Sequence, residues 1–286
     1  NENASAVGYG NEAGGVASSA FGFSNVAKMD FGSAFGYSNE AGGLASTAVG
    51  FRNTAASENA SAVGYGNNAN ALAASALGYS NTAGGVGSST VGYSNTASAE
   101  NASAFGYGNT VSGLAANAFG YQNEVSAKDS SAGGYSNTVT GRSANAFGSS
   151  NIVKGDISSA FGYQNEASNT YANAFGYRNN ASASTSSAFG YMNTASGIQA
   201  NAIGMQNTAS GMNGSAFGVV NTAGRNANAF GYMNTAKANN SSAFGYQNDA
   251  SANNASAFGN TNVASAVSAT AVGFGNTASN TNASVF

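Results

Sequence analysis

A glycine returns every 14 residues along almost the whole of this 286-residue chain, and that spacing limits the fold more than any other feature. The column runs from Gly8, Gly22 and Gly36 in steps of 14 to Gly218, takes one step of 13 to Gly231, and resumes through Gly245, Gly259 and Gly273. Positions below are counted from this glycine. At +3 stands an Asn, from Asn11 to Asn276 without exception, and at +5 stands Ala or Val. At −1 stands Phe, Val, Leu or Ile except at Gly133, and at −2 stands Ala except at Thr90. A disordered chain of the same Gly-, Asn- and Ser-rich composition has no reason to hold this phase through twenty repeats.

Helix fits poorly, because a Gly and an Asn in every repeat weaken it and a 14-residue period carries no continuous 3.6-residue stripe. Alternation around the glycine fits a short strand. In Ser158-Ser159-Ala160-Phe161-Gly162-Tyr163, the residues Ser158, Ala160 and Gly162 share one small face, while Ser159, Phe161 and Tyr163 share the bulky one. Fourteen residues suffice for two strands of about five residues and two tight turns, one coil of a parallel solenoid. Coils stacked at about 4.8 Å would make twenty of them a rod of about 95 Å. Gly and Ala on the inward face are expected to let the two sheets approach closely. The Asn column is expected at a corner, stacking amide on amide and bonding turn backbone, a structural role.

So thin a roll encloses little, yet most repeats carry an aromatic pair, as in Phe105 with Tyr107, Phe119 with Tyr121, Phe175 with Tyr177, and Phe244 with Tyr246. Placed on an outer face, the rings form a stripe larger than a soluble monomer leaves exposed. Burying three such stripes against one another predicts a homotrimer, with Phe105, Phe119, Phe161, Phe175, Phe189 and Phe244 at the interface. The alternative is a monomer whose Phe column fills the interior.

The chain has no His, Cys, Trp or Pro, which excludes Ser-His-Asp and Cys-His nucleophiles, imidazole or thiolate zinc sites, and disulfides. Its carboxylates are scattered and lack a partner base, a metal cluster or a phosphate loop, so no catalysis, cofactor, metal or small-molecule substrate is expected. Eleven acidic and eight basic residues, dispersed, argue against nucleic acid as a partner. No apolar stretch approaches the roughly 20 residues of a membrane-spanning helix. The chain opens in mid-motif and stops at Phe286 where another Gly is due, so both ends read as cuts through a longer protein.

The repeat resembles that of the heads of YadA-like trimeric autotransporter adhesins, Asn-Ser-Val-Ala-Ile-Gly-x-x-Ser-x-Ala-x-Gly. Asn3-Ala4-Ser5-Ala6-Val7-Gly8-Tyr9-Gly10-Asn11-Glu12-Ala13-Gly14-Gly15 follows it, and so does Ala200-Asn201-Ala202-Ile203-Gly204-Met205-Gln206-Asn207-Thr208-Ala209. The resemblance implies a left-handed parallel β-roll over the single domain 1–286, a homotrimer, and a bacterial surface protein anchored in the outer membrane through regions outside these residues. Phe in place of the family's Ile or Val, Tyr after the Gly, and Asn in place of Ser enlarge the outer face. The Phe-Gly-Tyr-x-Asn style is similar to fusobacterial adhesins that bind CEACAM receptors, so a host-cell surface protein is the partner implied.

An alternative function is an ice-binding solenoid, since Thr82, Thr96, Thr110, Thr194, Thr208, Thr222 and Thr235 share the +4 column, although Glu12, Glu40, Glu124 and Glu166 interrupt it. For an adhesin, the informative outward positions are those that break the polar rule at +2. Met192, Val220 and Met233 do so beside Met205 and Val219, near the 13-residue repeat. Rimmed by Gln206 and Arg225, they form the candidate receptor patch; the competing expectation is that they pack under a turn distorted by the shortening. Leu44, Leu72, Leu114 and Ile198, in another column, are expected between chains.

Overall fold

The computed structural model describes residues 2–286. It divides into two compact units, one up to Ser143 and the other Ala144–Phe286. Both are parallel β-solenoids built from the same 14-residue coil. In each coil a five-residue strand spans −3 to +1 and a two-residue strand spans +4 and +5. In the first unit these run from Ser5–Tyr9 and Glu12–Ala13 to Ser131–Tyr135 and Thr138–Val139. In the second they run from Asn145–Ser149 and Ile152–Val153 to Thr270–Phe274 and Thr277–Ala278, followed by Ser284–Val285. Each residue pairs with its equivalent one coil on, as Phe105 with Phe119 and Phe161 with Phe175.

The second strand is shorter than the sequence suggests. The Asn at +3 turns its side chain into the core, and the residues before and after the short strand are used for turning. One turn residue at +2 and one at +9 adopt left-handed backbone in coil after coil, for example Gln122 at φ 52° and Ala115 at φ 52°. The 13-residue repeat leaves the sheets untouched: Ser215 to Val219 pair with Asn228 to Tyr232, and Thr222 pairs with Thr235. The lost residue comes from the second turn, where Gly224 and Arg225 do what Ser210, Gly211 and Met212 do one coil earlier.

Four columns are buried: Ala at −2, Asn at +3, Ala or Val at +5, and Ser, Ala or Gly at +10. Ala118, Asn123, Val125 and Ala116 exemplify them, none more than 1% exposed. Val111, Val125, Val139 and Val153 are the largest fully buried apolar side chains. The interior is therefore methyl-sized, and the Phe column lies outside it, which removes the alternative of a Phe-filled roll. A methyl group contributes only about 0.8 kcal/mol on burial, so such a core leans on its hydrogen bonds.

The Asn column supplies many of those bonds, in the structural role its position implies. Asn109 donates through Nδ2 to Asn95 Oδ1 at 2.9 Å, to the Phe105 carbonyl at 2.9 Å and to the Gly120 carbonyl at 2.8 Å. Its Oδ1 accepts from the Asn123 backbone N–H and from Asn123 Nδ2, both at 3.0 Å. The amide thus binds three coils. Asn193 repeats the set in the second unit with Asn179, Phe189, Gly204 and Asn207.

The glycine column has a different reason from the one expected. Gly106 has φ 120°, a conformation L side chains rarely adopt, and a Cβ there would lie 2.0 Å from the Gly120 carbonyl oxygen. Glycine therefore permits the close approach of successive coils, while the alanines at −2 and +5 line the interior between the two sheets.

Candidate binding surfaces

Because −2 points inward, −1 and +1 both point outward on either side of the bare glycine column. In the first unit the +1 column is an unbroken ladder of ten rings from Tyr9 to Tyr135, with centroids 4.7 to 5.0 Å apart. Beside it the −1 column is half aliphatic, with Val63, Leu77 and Val91 exposed and stacked Phe pairs only at Phe21–Phe35 and Phe105–Phe119. In the second unit the emphasis reverses. Phe147, Phe161, Phe175 and Phe189 stack in one run at −1, and Phe217, Phe230, Phe244 and Phe258 in another.

The six Phe residues expected at a trimer interface all belong to this outward −1 column. Phe105, Phe161, Phe175, Phe189 and Phe244 are half-buried by their stacked neighbours, and Phe119 is 48% exposed. An adjacent chain could cover them without displacing anything from the core.

Six of the seven residues of the candidate receptor patch come together. Met205 and Val219 occupy the gap in the +1 column between Tyr191 and Tyr232. Met192, Gln206, Val220 and Met233 stack alongside in the +2 turn, where Val220 N–H donates to the Met205 carbonyl and Met233 N–H to the Val219 carbonyl. Met192, Met205, Val220 and Met233 are exposed, and Val219 is half-buried. Val220 holds φ 57°, unfavourable for a β-branched side chain. Arg225 is not part of this cluster. It sits in the second turn, aligned with Met212, since Asn226 N–H donates to the Met212 carbonyl. The shortening falls in that turn too, so Met192, Val220 and Met233 do not pack beneath a distorted loop. Leu44, Leu72, Leu114 and Ile198 also lie in the second turn, at +8, all exposed.

Two carboxylates of the +4 column are tied down locally. Lys28 bonds Glu40, and Lys154 bonds Glu166 at 2.8 Å, the same geometry in each unit. The Lys154 ammonium, then the Ser168 hydroxyl, hold the Glu166 carboxyl below its usual range. Burial pushes Asp249 up against the opposing pull of Lys237, and its Oδ1 is buried without a hydrogen-bond partner. The threonines of this column are mostly half-buried on a two-residue strand, and four glutamates interrupt them, two of them, Glu40 and Glu166, held by lysines. That arrangement gives an ice-ordering array no support.

Among the described residues there is no pocket, and no group of three or more Asp or Glu is placed to hold a metal ion. What the chain presents is a set of long outward columns. The YadA head domain repeat matches residues 41–67 and 83–109 in the first unit and 223–248, 236–262 and 250–276 in the second. No curated protein matches the chain.

Proposed function

Since the chain carries YadA head domain repeats in both units, making it a YadA-like head, we propose that it is the non-catalytic head of a bacterial surface adhesin. In this reading the coils form a left-handed roll, three chains associate, an outer-membrane anchor carries the assembly outward, and it binds host-cell surface proteins. The observation that carries the reading is the division of labour within the coil. A methyl-lined, amide-bonded interior builds the scaffold, and large apolar side chains are placed on the outside, where only another chain can cover them.

The −1 phenylalanines Phe105, Phe119, Phe161, Phe175, Phe189 and Phe244 support the trimer, and the cluster of Met192, Met205, Val219, Val220 and Met233 with Gln206 supports a receptor contact. CEACAM receptors are the partner class suggested by the Phe-Gly-Tyr-x-Asn style. Three equivalent patches would convert modest single-site affinity into firm attachment.

Purified protein applied to receptor-bearing and receptor-free host cells tests the function. Binding confined to receptor-bearing cells, lost when Met192, Val220 and Met233 are each changed to Ser, is the expected result. Unchanged binding of that variant would remove the patch, and failure of the unaltered protein to bind host cells or matrix proteins would overturn the adhesin reading.

A further inference from the structure

The second turn carries a motif that the adhesin reading does not use. Asn stands at +9 in Asn59-Ala60-Ser61 and Asn101-Ala102-Ser103 of the first unit, and in Asn213-Gly214-Ser215, Asn240-Ser241-Ser242, Asn254-Ala255-Ser256 and Asn282-Ala283-Ser284 of the second. Asn3-Ala4-Ser5 enters the first strand in the same way. Asn followed two residues on by Ser or Thr, with any residue but Pro between them, is the acceptor sequence for asparagine-linked sugars.

Serine is common at −3, so the weight falls on placement rather than on the coincidence of two residues. All seven asparagines are exposed, with φ between 55° and 60°. The left-handed turn does not demand Asn, since Phe31, Ala45, Tyr171 and Gln199 hold it in other coils. The Ser of each motif opens the next strand, on the same outward side as −1 and +1. Among the described residues, nothing accepts a hydrogen bond from the side-chain nitrogen of Asn59, Asn101, Asn254 or Asn282. Asn213 and Asn240 lend theirs only to exposed Asn226 and Asn254, at 3.0 and 3.1 Å.

Buried asparagines avoid the motif. At +3 the side-chain nitrogen is fully used, as in Asn109, and Ala or Val stands two residues on. At −3, Asn117 and Asn201 are followed two residues on by Phe119 and Ile203. Two further matches lie outside the +9 position. Asn180-Ala181-Ser182 is half-buried around the short strand, and in Asn239-Asn240-Ser241 the serine is buried and donates to the Ala238 carbonyl. Exposed Asn226 is the one +9 asparagine without the motif, because Asn228 stands where the serine would be.

We propose that the +9 asparagines are acceptors for asparagine-linked sugars, attached by a glycosyltransferase of the producing cell from a phosphate-activated sugar. In that step Asn Nδ2 bonds to the anomeric carbon, the bond from that carbon to the phosphate oxygen breaks with its electron pair leaving on the phosphate, and one amide proton passes to a base of the transferase. Sugars at +9 would sheathe the second turn and leave the −1 and +1 columns and the +2 cluster uncovered for the contacts proposed above. The inference rests on that reading only in taking the chain to meet a transferase on its way to the cell surface.

The test is mass spectrometry of the chain isolated from the cells that make it, with each site assigned by electron-transfer fragmentation. Sugar is expected on Asn59 and Asn101 in the first unit and on Asn213, Asn240 and Asn254 in the second, with Asn109 and Asn226 bare. A single sugar per site would identify a nucleotide-linked donor, and one preassembled oligosaccharide a lipid-linked donor; either supports the proposal. Ser61→Ala should remove the sugar from Asn59, which itself is unchanged, and Ser61→Thr should keep it. Asn228→Ser should create a new site at Asn226, a gain that misfolding cannot imitate. Bare asparagines throughout the +9 turn, sugar on Asn59 that survives Ser61→Ala, sugar confined to serine hydroxyls, or Asn226 still bare after Asn228→Ser would overturn the proposal. Attachment to host cells does not enter the measurement, so a failed adhesin reading and a failed acceptor reading are told apart.

Discussion

The two units share an interior and differ on their outsides. In both, Asn bonds three coils together, glycine lets successive coils meet, and Ala or Val fills the space between the sheets. Outside, the first unit stacks ten rings at +1 beside a −1 column that mixes aliphatic residues with two separate Phe pairs, whereas the second stacks two runs of four Phe at −1 and interrupts +1 with Ser149, Met205, Val219 and Asn260. The lesson is that the fold depends on four small columns and tolerates exchange of bulk between the outer two. Variation at −1, +1, +2 and +8 is free to serve recognition.

The largest expected effect would break the claim of a common interior. Asn109→Asp in the first unit and Asn193→Asp in the second each replace the amide donor by an oxygen facing the carbonyls of Phe105 and Gly120, or of Phe189 and Gly204. Each change should cost about 4 kcal/mol locally, from several buried groups left unpaired. Amide hydrogen exchange should show loss of protection in the altered coil and its neighbours, equal in the two units. Losses that differ strongly between the units would refute the shared scaffold.

The exchange of outer columns predicts a crossover of smaller size. Tyr93 stacks on Tyr79 and Tyr107 at 4.8 Å, while its −1 neighbour Val91 is exposed. Phe230 stacks on Phe217 at 4.7 Å and on Phe244 at 4.9 Å, while Tyr232 has one stacked partner, Tyr246. Tyr93→Ala should therefore cost about 1 kcal/mol more than Val91→Ala, and Phe230→Ala about 1 kcal/mol more than Tyr232→Ala. Urea titration checks both differences. The same column dominating in both units would contradict the comparison.

The smallest effects are electrostatic and lie in the second unit. The depressed Glu166 contributes stability above its unfolded value, lost as pH falls through the lower folded one. Asp249, raised by burial, is the reverse: its share is present below its unfolded value and lost as pH rises through the raised one. Glu166→Gln should thus lower stability at neutral pH and not in acid, and Asp249→Asn should raise it at neutral pH and not in acid. Both groups are partly solvent-screened, so each change amounts to at most about 1 kcal/mol. Melting curves at neutral and acid pH read both signs.

Much of this was legible in the sequence because the repeat averages out local ambiguity. The coil, the inward alanines, the structural Asn and the outward Phe161–Tyr163 face follow from phase alone. Three matters did not follow. The short second strand depends on left-handed turn residues such as Gln122 and Ala115, whose identities do not announce that backbone. The reason for Gly106 lies in the distance to the next coil, which no single repeat contains. Arg225 looked adjacent to Val220 in sequence, but half a coil separates two turns, so six of the seven proposed patch residues meet and Arg225 does not.

Light scattering on the purified chain tests most directly whether the outward phenylalanines serve assembly. The expected mass is three times the single-chain value of 27.9 kDa, with Phe161→Asp and Phe175→Asp shifting the assembly toward the single chain while the β-type circular dichroism persists. A folded protein of 27.9 kDa at working concentration, or trimers indifferent to both substitutions, would contradict it.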